Sequence, residues 1–207
     1  MNKILLSLMT MVSLATAGGC VLVQSNDMNV TWKAYKTLEK LGVAGQFTGV
    51  TYTPKTKEGK NFSDLLLGSK VSIDLSKVDT KNEGRDKTLV ENFFSKLDGK
   101  TIEGVIVSMK ADKKEKGKRV YHGVVDVNIT MNNKSILVPM KYNYKKENFT
   151  ATGTIDLFDF SANDALKSIN KSCFDLHNGK TWNDVTIGFS TMIKASLCDV
   201  KIEEKKK

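Results

Sequence analysis

Between residues 30 and 195 the chain switches eight times into a strict alternation of apolar and polar side chains. The first stretch, Val30 to Lys36, puts Val30, Trp32 and Ala34 on one face. The second runs from Gly45 to Tyr52 with Phe47 on its apolar side, and the third carries Val71, Ile73 and Leu75. A fourth covers Ile102 to Met109, and a fifth aligns Tyr121, Val125, Val127, Ile129 and Met131. The polar turn Asn132-Asn133-Lys134 then leads into a sixth with Ile136, Val138, Met140, Tyr142 and Tyr144. The seventh places Phe149, Ala151, Gly153 and Ile155 together, and the eighth Val185, Ile187, Phe189, Thr191, Ile193 and Ala195. A period of two marks a strand with one buried face, and the turn after Met131 marks a hairpin.

Helical signals are short: Ser63 to Leu67, Arg85 to Phe94, and a segment with Ala165, Leu166 and Ile169 that opens on Ser161-Ala-Asn-Asp164, the spacing of a capping box. Eight strands with mostly short connections predict an all-β, antiparallel domain, either an up-and-down barrel or a sandwich. Full-length helices between the strands, which a parallel sheet requires, are missing from the pattern. Small residues fall within the strands at Ala34, Gly45, Gly49, Gly104, Gly123, Ala151 and Gly153. They leave room inside a barrel, or mark bulges and bends.

The two ends lie outside this pattern. Lys3 is followed by the apolar run Ile4 to Ala17, and Ala15-Thr16-Ala17 has the form of a cleavage site. Residues 1–17 therefore read as a secretory signal peptide, the barrel as residues 28–198, and residues 199–207 as a basic tail. The expected location is periplasmic or secreted. Gly18-Gly19-Cys20 opens the alternative of a lipoprotein anchored in a membrane through Cys20. Cys20, Cys173 and Cys198 remain after cleavage, and any two of them could form a disulfide in an oxidising compartment.

The net charge of +9 is concentrated in Lys113 to Arg119 and in Lys205 to Lys207. Basic runs of this kind are solvated hairpin tips and tails, or a patch for anionic lipid headgroups. Nucleic acid is excluded as a partner, because no aromatic residues interleave with the basic ones. Signals for chemistry are sparse. His122 lies on a polar strand face, and His177 follows Cys173 by four residues in a loop. No nucleophile elbow, phosphate loop or zinc spacing is present. The chain reads as a non-enzyme without metal or cofactor, with Cys173 structural.

Four blocks in order carry a resemblance. They are Val43-Ala-Gly-Gln-Phe47; Val71 to Phe94 with its Ile73-Asp74, Val78-Asp79-Thr80, Arg85-Asp86, Leu89 and Phe93-Phe94; Thr152-Gly-Thr-Ile-Asp-Leu-Phe-Asp-Phe160; and Asp184-Val-Thr-Ile-Gly-Phe189. Together they resemble the YceI family of bacterial, lipocalin-like, isoprenoid-binding proteins. The chain departs from it at Leu157, where the family often has Arg, and in Ser168 to Trp182, which reads as an insertion.

The resemblance implies an eight-stranded antiparallel barrel around an apolar tunnel. The implied ligand is an isoprenoid or other long-chain lipid, such as a quinone, a polyprenol or a fatty-acid derivative. Tunnel-lining candidates are Trp32, Phe47, Val71, Ile73, Phe149, Ile155 and Phe189, with Phe93, Phe94, Phe158 and Phe160 closing one end. Arg85 and Asp86 are expected to pair with each other or to cap the helix. Peripheral membrane contact and a homodimer remain open, as does the rival reading of a structural or adhesion β-domain with a filled core.

Overall fold

A computed structural model describes residues 21–113 and 121–196. In chain order the elements are β1 (Val21–Gln24), β2 (Asn29–Lys36), β3 (Leu41–Phe47), β4 (Val50–Thr53), β5 (Glu58–Gly59), α1 (Phe62–Leu66), β6 (Lys70–Asp74), β7 (Val78–Asp79), α2 (Glu83–Asn92), a 3-10 turn (Phe94–Lys96), β8 (Thr101–Ala111), β9 (His122–Met131), β10 (Lys134–Lys145), β11 (Asn148–Asp156), α3 (Asn163–Ser172) and β12 (Asp184–Ser196). Hydrogen-bonded neighbours follow β4-β6-β8-β9-β10-β11-β12-β2-β3-β7.

The two ends of that path meet in one strand. β3 and β4 are separated only by Thr48 and Gly49, where the chain bends across the sheet. The Thr48 N–H donates to Lys77 and the Gly49 carbonyl accepts from Asp74. A Cβ at Gly49 would lie 2.8 Å from Lys77 carbons and 2.9 Å from Asp74 Cβ, so the close crossing requires glycine. β3 pairs with β2 while β4 pairs with β6. The bent strand thus closes the sheet into a barrel, and the eight long strands are the eight that the alternation predicts.

Departures from the predicted pattern have local causes. β1, β5 and β7 are too short to show a period, yet β1 pairs with β12, so the sheet takes in residues before the expected boundary at Met28. A bulge between Ile106 and Ser108 shifts the β8 register and turns Val107 outward. The β9–β10 turn is a tight hairpin whose Asn132 and Asn133 both have positive φ, 52° and 57°.

The Ser161–Asp164 capping box does not form. Ser161 lies in the left-handed region at φ 54°, and α3 starts at Asn163 with no side-chain cap on its first turn. The Asn132 side chain instead donates to the Phe160 and Ser161 carbonyls. α2 starts at Glu83, capped by the Asn82 Oδ1, which accepts from the Arg85 N–H at 2.9 Å. It ends at Asn92, two residues before the expected Phe94, because Phe93 leaves helical geometry.

Arg85 and Asp86 neither pair with each other nor cap the helix. They clasp Thr80, which is 6% exposed. Asp86 accepts from both the N–H and the hydroxyl of Thr80, while Arg85 Nε donates to the Thr80 hydroxyl and Nη2 to its carbonyl. This clasp fixes the β7–α2 corner.

The barrel has a plug at each end. At one end α1 places Leu65 and Leu66, both 0% exposed, against Val125, Met140, Phe149 and Ile193. At the other, α3 and the α2 segment cover Phe47, Ile73, Leu75, Met131 and Val185. Among the described residues no helix is long and apolar enough to cross a membrane.

Candidate functional site: the axial cavity

The two plugs share a belt. Val30, Val71, Ile129, Ile136, Ile155 and Ile187 pack against both clusters but are only partly buried. All but Ile136 line a void between the two plugs. That cavity measures about 90 Å³. Its wall includes Met28, Val30, Trp32, Phe47, Val71 and Ile73 from one side. From the other come Ile102, Val127, Ile129, Ile155, Ile187 and Phe189. The lining is almost wholly apolar, and a void of that kind stays dry and attracts hydrocarbon. Gly104 pairs with Val71 on the neighbouring strand, where a Cβ would approach Val71 Cγ1 to 2.8 Å.

Of the candidates named from sequence, Trp32, Phe47, Val71, Ile73, Ile155 and Phe189 are brought together around the void. Phe149 is fully buried in the α1 plug, stacked on Tyr142 at 5.1 Å and Phe189 at 6.1 Å. Phe160 is fully buried in the opposite plug. Phe93 and Phe94 pack edge to face at 5.2 Å, and Phe94 meets Phe47 at 5.8 Å, so the pair sits over the cavity's end. Phe158 is 52% exposed in a turn and closes nothing; its N–H is held by Asp156 Oδ1. Met28, Ile102, Val127, Met131 and Met140 complete the wall. Val127, Met131 and Met140 fall on the apolar face that the alternation predicts for their strands.

The two plugs differ in tightness. The α1 plug is locked by a polar chain: Tyr52 donates to Gln24 Oε1 at 2.6 Å, and Gln24 Nε2 donates to the carbonyls of Thr56 and Leu65. α2 by contrast has no fully buried residue, and Leu89, Val90, Phe93 and Phe94 are all only half-buried against the barrel. The α2 side is therefore the loosely packed mouth.

Polar features nearby are few. The Trp32 indole N–H is buried without an acceptor. On the outer face of the same wall a solvent-open groove of about 380 Å³ crosses β12, β2, β3 and β7, with Lys33, Gln46, Asp79 and Lys81 on its rim. Cys173 is a free, buried thiol, and burial pushes its pKa up, so it stays protonated. His177 bonds Thr181 through Nδ1 at 2.9 Å, and burial followed by nearby Lys36 lowers its pKa. This is no thiolate–imidazolium pair. Among the described residues no cluster of side chains could hold a metal. Cys20, Cys198, the run 114–119 and the basic tail lie outside the described residues.

The model of the YceI-like domain matches residues 23–193. The chain belongs to the YceI family. Solved structures share its fold at low identity. BcnA of Burkholderia cenocepacia is similar with a TM-score of 0.54 and 13% identity, over 81% of this chain and 96% of that one. A polyisoprenoid binding domain from Saccharophagus degradans, implicated in plant cell wall breakdown, has a TM-score of 0.52 and 12% identity, over 85% and 98%. The Campylobacter jejuni YCEI protein has 0.52 and 15%, over 79% and 90%. No curated protein matches the sequence. Within the family, this member is a β-barrel whose interior holds a small, almost wholly apolar cavity.

Proposed function

We propose that this YceI protein is an exported carrier that holds the tail of an isoprenoid or other long-chain lipid along the barrel axis. The observation that carries the reading is the apolar cavity inside a belt of branched side chains that belongs to neither plug. The polyisoprenoid-binding neighbour and the signal-like N-terminus support it. Burial of each methylene contributes ~0.8 kcal/mol, so a tail binds without polar contacts and without catalysis. The unliganded cavity is well below the ~300 Å³ at the low end of ligand pockets. Binding must therefore widen it, and the half-packed Phe93–Phe94 segment is where the barrel yields. The tail enters on the α2 side, and its headgroup stays at that mouth.

The test is native mass spectrometry of the mature protein from its own host, with solvent extraction of the same sample. A bound prenyl or acyl species of several hundred daltons is expected. A bare mass that is unchanged after incubation with quinones, polyprenols and fatty acids would replace this reading with a filled-core binding domain.

A further inference from the structure

We propose that the α1 end of the barrel is a docking surface for an anionic lipid bilayer. The two ends carry different charge. At the helical end acids and bases balance, and the lysine ion pairs of the described residues all lie there: Lys40 with Asp184, Lys81 with Asp79, and Lys87 with Glu91. At the α1 end the Thr53–Asn61 connection brings Lys55, Lys57 and Lys60, the end of β8 brings Lys110 and Lys113, and the β10–β11 turn brings Lys145 and Lys146. All are exposed, and none has a carboxylate within ion-pair distance among the described residues. Asp27, Glu58, Asp64, Asp112 and Glu147 share this end, and Asp112 is engaged by His122 Nδ1 at 2.6 Å.

The arrangement selects among occupants. The lysines come from three separate connections spaced around the rim, so their charge faces an extended surface and not a groove or a single track. A protein partner would need a cluster of exposed apolar anchors; Leu38, Leu41, Phe158, Phe174 and Leu176 are at the opposite end, and this rim offers only Met192, 42% exposed beside Asn148, and Tyr121 among the large exposed apolar side chains of the described residues. A single-stranded nucleic acid would need a row of stacking platforms; Tyr121, 40% exposed, is the one large aromatic exposed at this rim among the described residues. Unpaired lysines on a closed, non-inserting end suit a headgroup layer, where each adds roughly a fivefold gain in partition. The surface itself needs only the described lysines. Docked this way, the α2 mouth points away from the bilayer.

The full mature chain is sedimented with phosphatidylcholine vesicles, with and without phosphatidylglycerol, at low and high salt. Binding is expected only with phosphatidylglycerol, and salt should abolish it. K57E/K110E/K146E should weaken that binding by at least about tenfold, whereas K96E/K134E/K167E, with the same charge change at the other end, should leave it within about threefold. Equal loss in both sets would show that net charge alone acts. No binding by the parent, binding that survives the first set, or displacement by a short oligonucleotide in preference to phosphatidylglycerol would each also overturn the proposal. If the reversed chain is not folded by circular dichroism, K57Q/K110Q/K146Q replaces it, with a smaller loss expected. Lipid content measured on the same samples separates this result from the carrier reading, since docking and occupancy use opposite parts of the barrel.

Discussion

Val71→Phe tests whether a tail passes through the cavity. Val71 lines the void and faces Gly104 across β6–β8, so an added ring has no opposing side chain and must project into the open volume. Its effect on the unliganded protein is small. Filling ~50 Å³ at ~24 cal/mol per Å³ contributes about 1 kcal/mol, and tight insertion costs about 1–3 kcal/mol. The net lies within about 2 kcal/mol, or a shift of only a few degrees in Tm for a domain of this size.

The effect on the ligand is larger. A ring there excludes about one isoprene unit of tail, and five carbons at ~0.8 kcal/mol each amount to about 4 kcal/mol, near a thousandfold in Kd. The assay is titration of the delipidated protein with a polyprenol or quinone, followed by tryptophan fluorescence, alongside thermal melts of parent and variant. Parental affinity in a variant that melts normally would refute the placement of the tail in the cavity. A variant that loses much more stability than this would instead show that the void is smaller than its wall implies.

Three further outcomes follow from particular contacts. Leu65→Ala empties the centre of the α1 plug, where Leu65 is 0% exposed, and should cost about 2–5 kcal/mol in chemical denaturation; a cost under about 1 kcal/mol would mean the plug does not support the barrel. Glu147→Gly relieves a residue held at φ 63° in the β10–β11 turn and should raise stability by about 1 kcal/mol, seen as a higher Tm; a fall would mean the side chain makes a compensating contact. The Asp79 carboxyl is lowered to about 2, first by the Lys81 side chain, then by the Lys81 N–H and Gln46. Its folded pKa lies below the unfolded value near 4, so its contribution is present above that value and lost as pH falls through about 2. The Tm gap between parent and Asp79→Asn should therefore be constant above pH 5 and shrink on acidification; a gap that widens there would reverse the assignment.

The fold was legible because a half-buried strand writes its period directly into the sequence: all eight long strands, and the inward side of each, follow from positions such as Val125, Val127 and Ile129. What stayed hidden depends on particular contacts. That β3 and β4 are one strand serving both edges rests on the crossing of Gly49 over Lys77 and Asp74. The Ser161 capping box failed because the Ser161 N–H, which the box would give to Asp164, is taken by the Phe158 carbonyl, and Ser161 is held at φ 54°, outside the extended geometry of an N-cap. For the site, six of the eleven named candidates line the void, and three of those six are aromatic. Phe149 and Phe160 are the plugs themselves, since rings that size fill space completely, and the void is left where smaller branched side chains meet.

Within the second family block, the stretch from Val78 to Asp86 lines no part of the cavity, and its geometry explains what it does. Thr80 ties β7 to α2 through four hydrogen bonds, two donated to the Asp86 carboxylate and two accepted from the Arg85 guanidinium, and Asn82 caps the helix beside it. Bonds to charged groups of this kind contribute about 1.5–3 kcal/mol each at most, and less where water can replace them. Such a cluster fixes the start of α2 against the barrel. Nothing comparable holds its other end, where Phe93 breaks the helix and the two rings rest half-buried over the void. In the carrier proposed above, a cover anchored at the Thr80 corner and apolar at its free end would open by swinging Phe93 and Phe94 outward. The residues from Val78 to Asp86 then belong to the hinge side of the mouth, and the tail would meet Trp32, Phe47 and Phe189 together with the branched side chains of the belt. Such a wall reads shape and not functional groups, so selectivity among lipids would be set by length and by the headgroup outside the barrel.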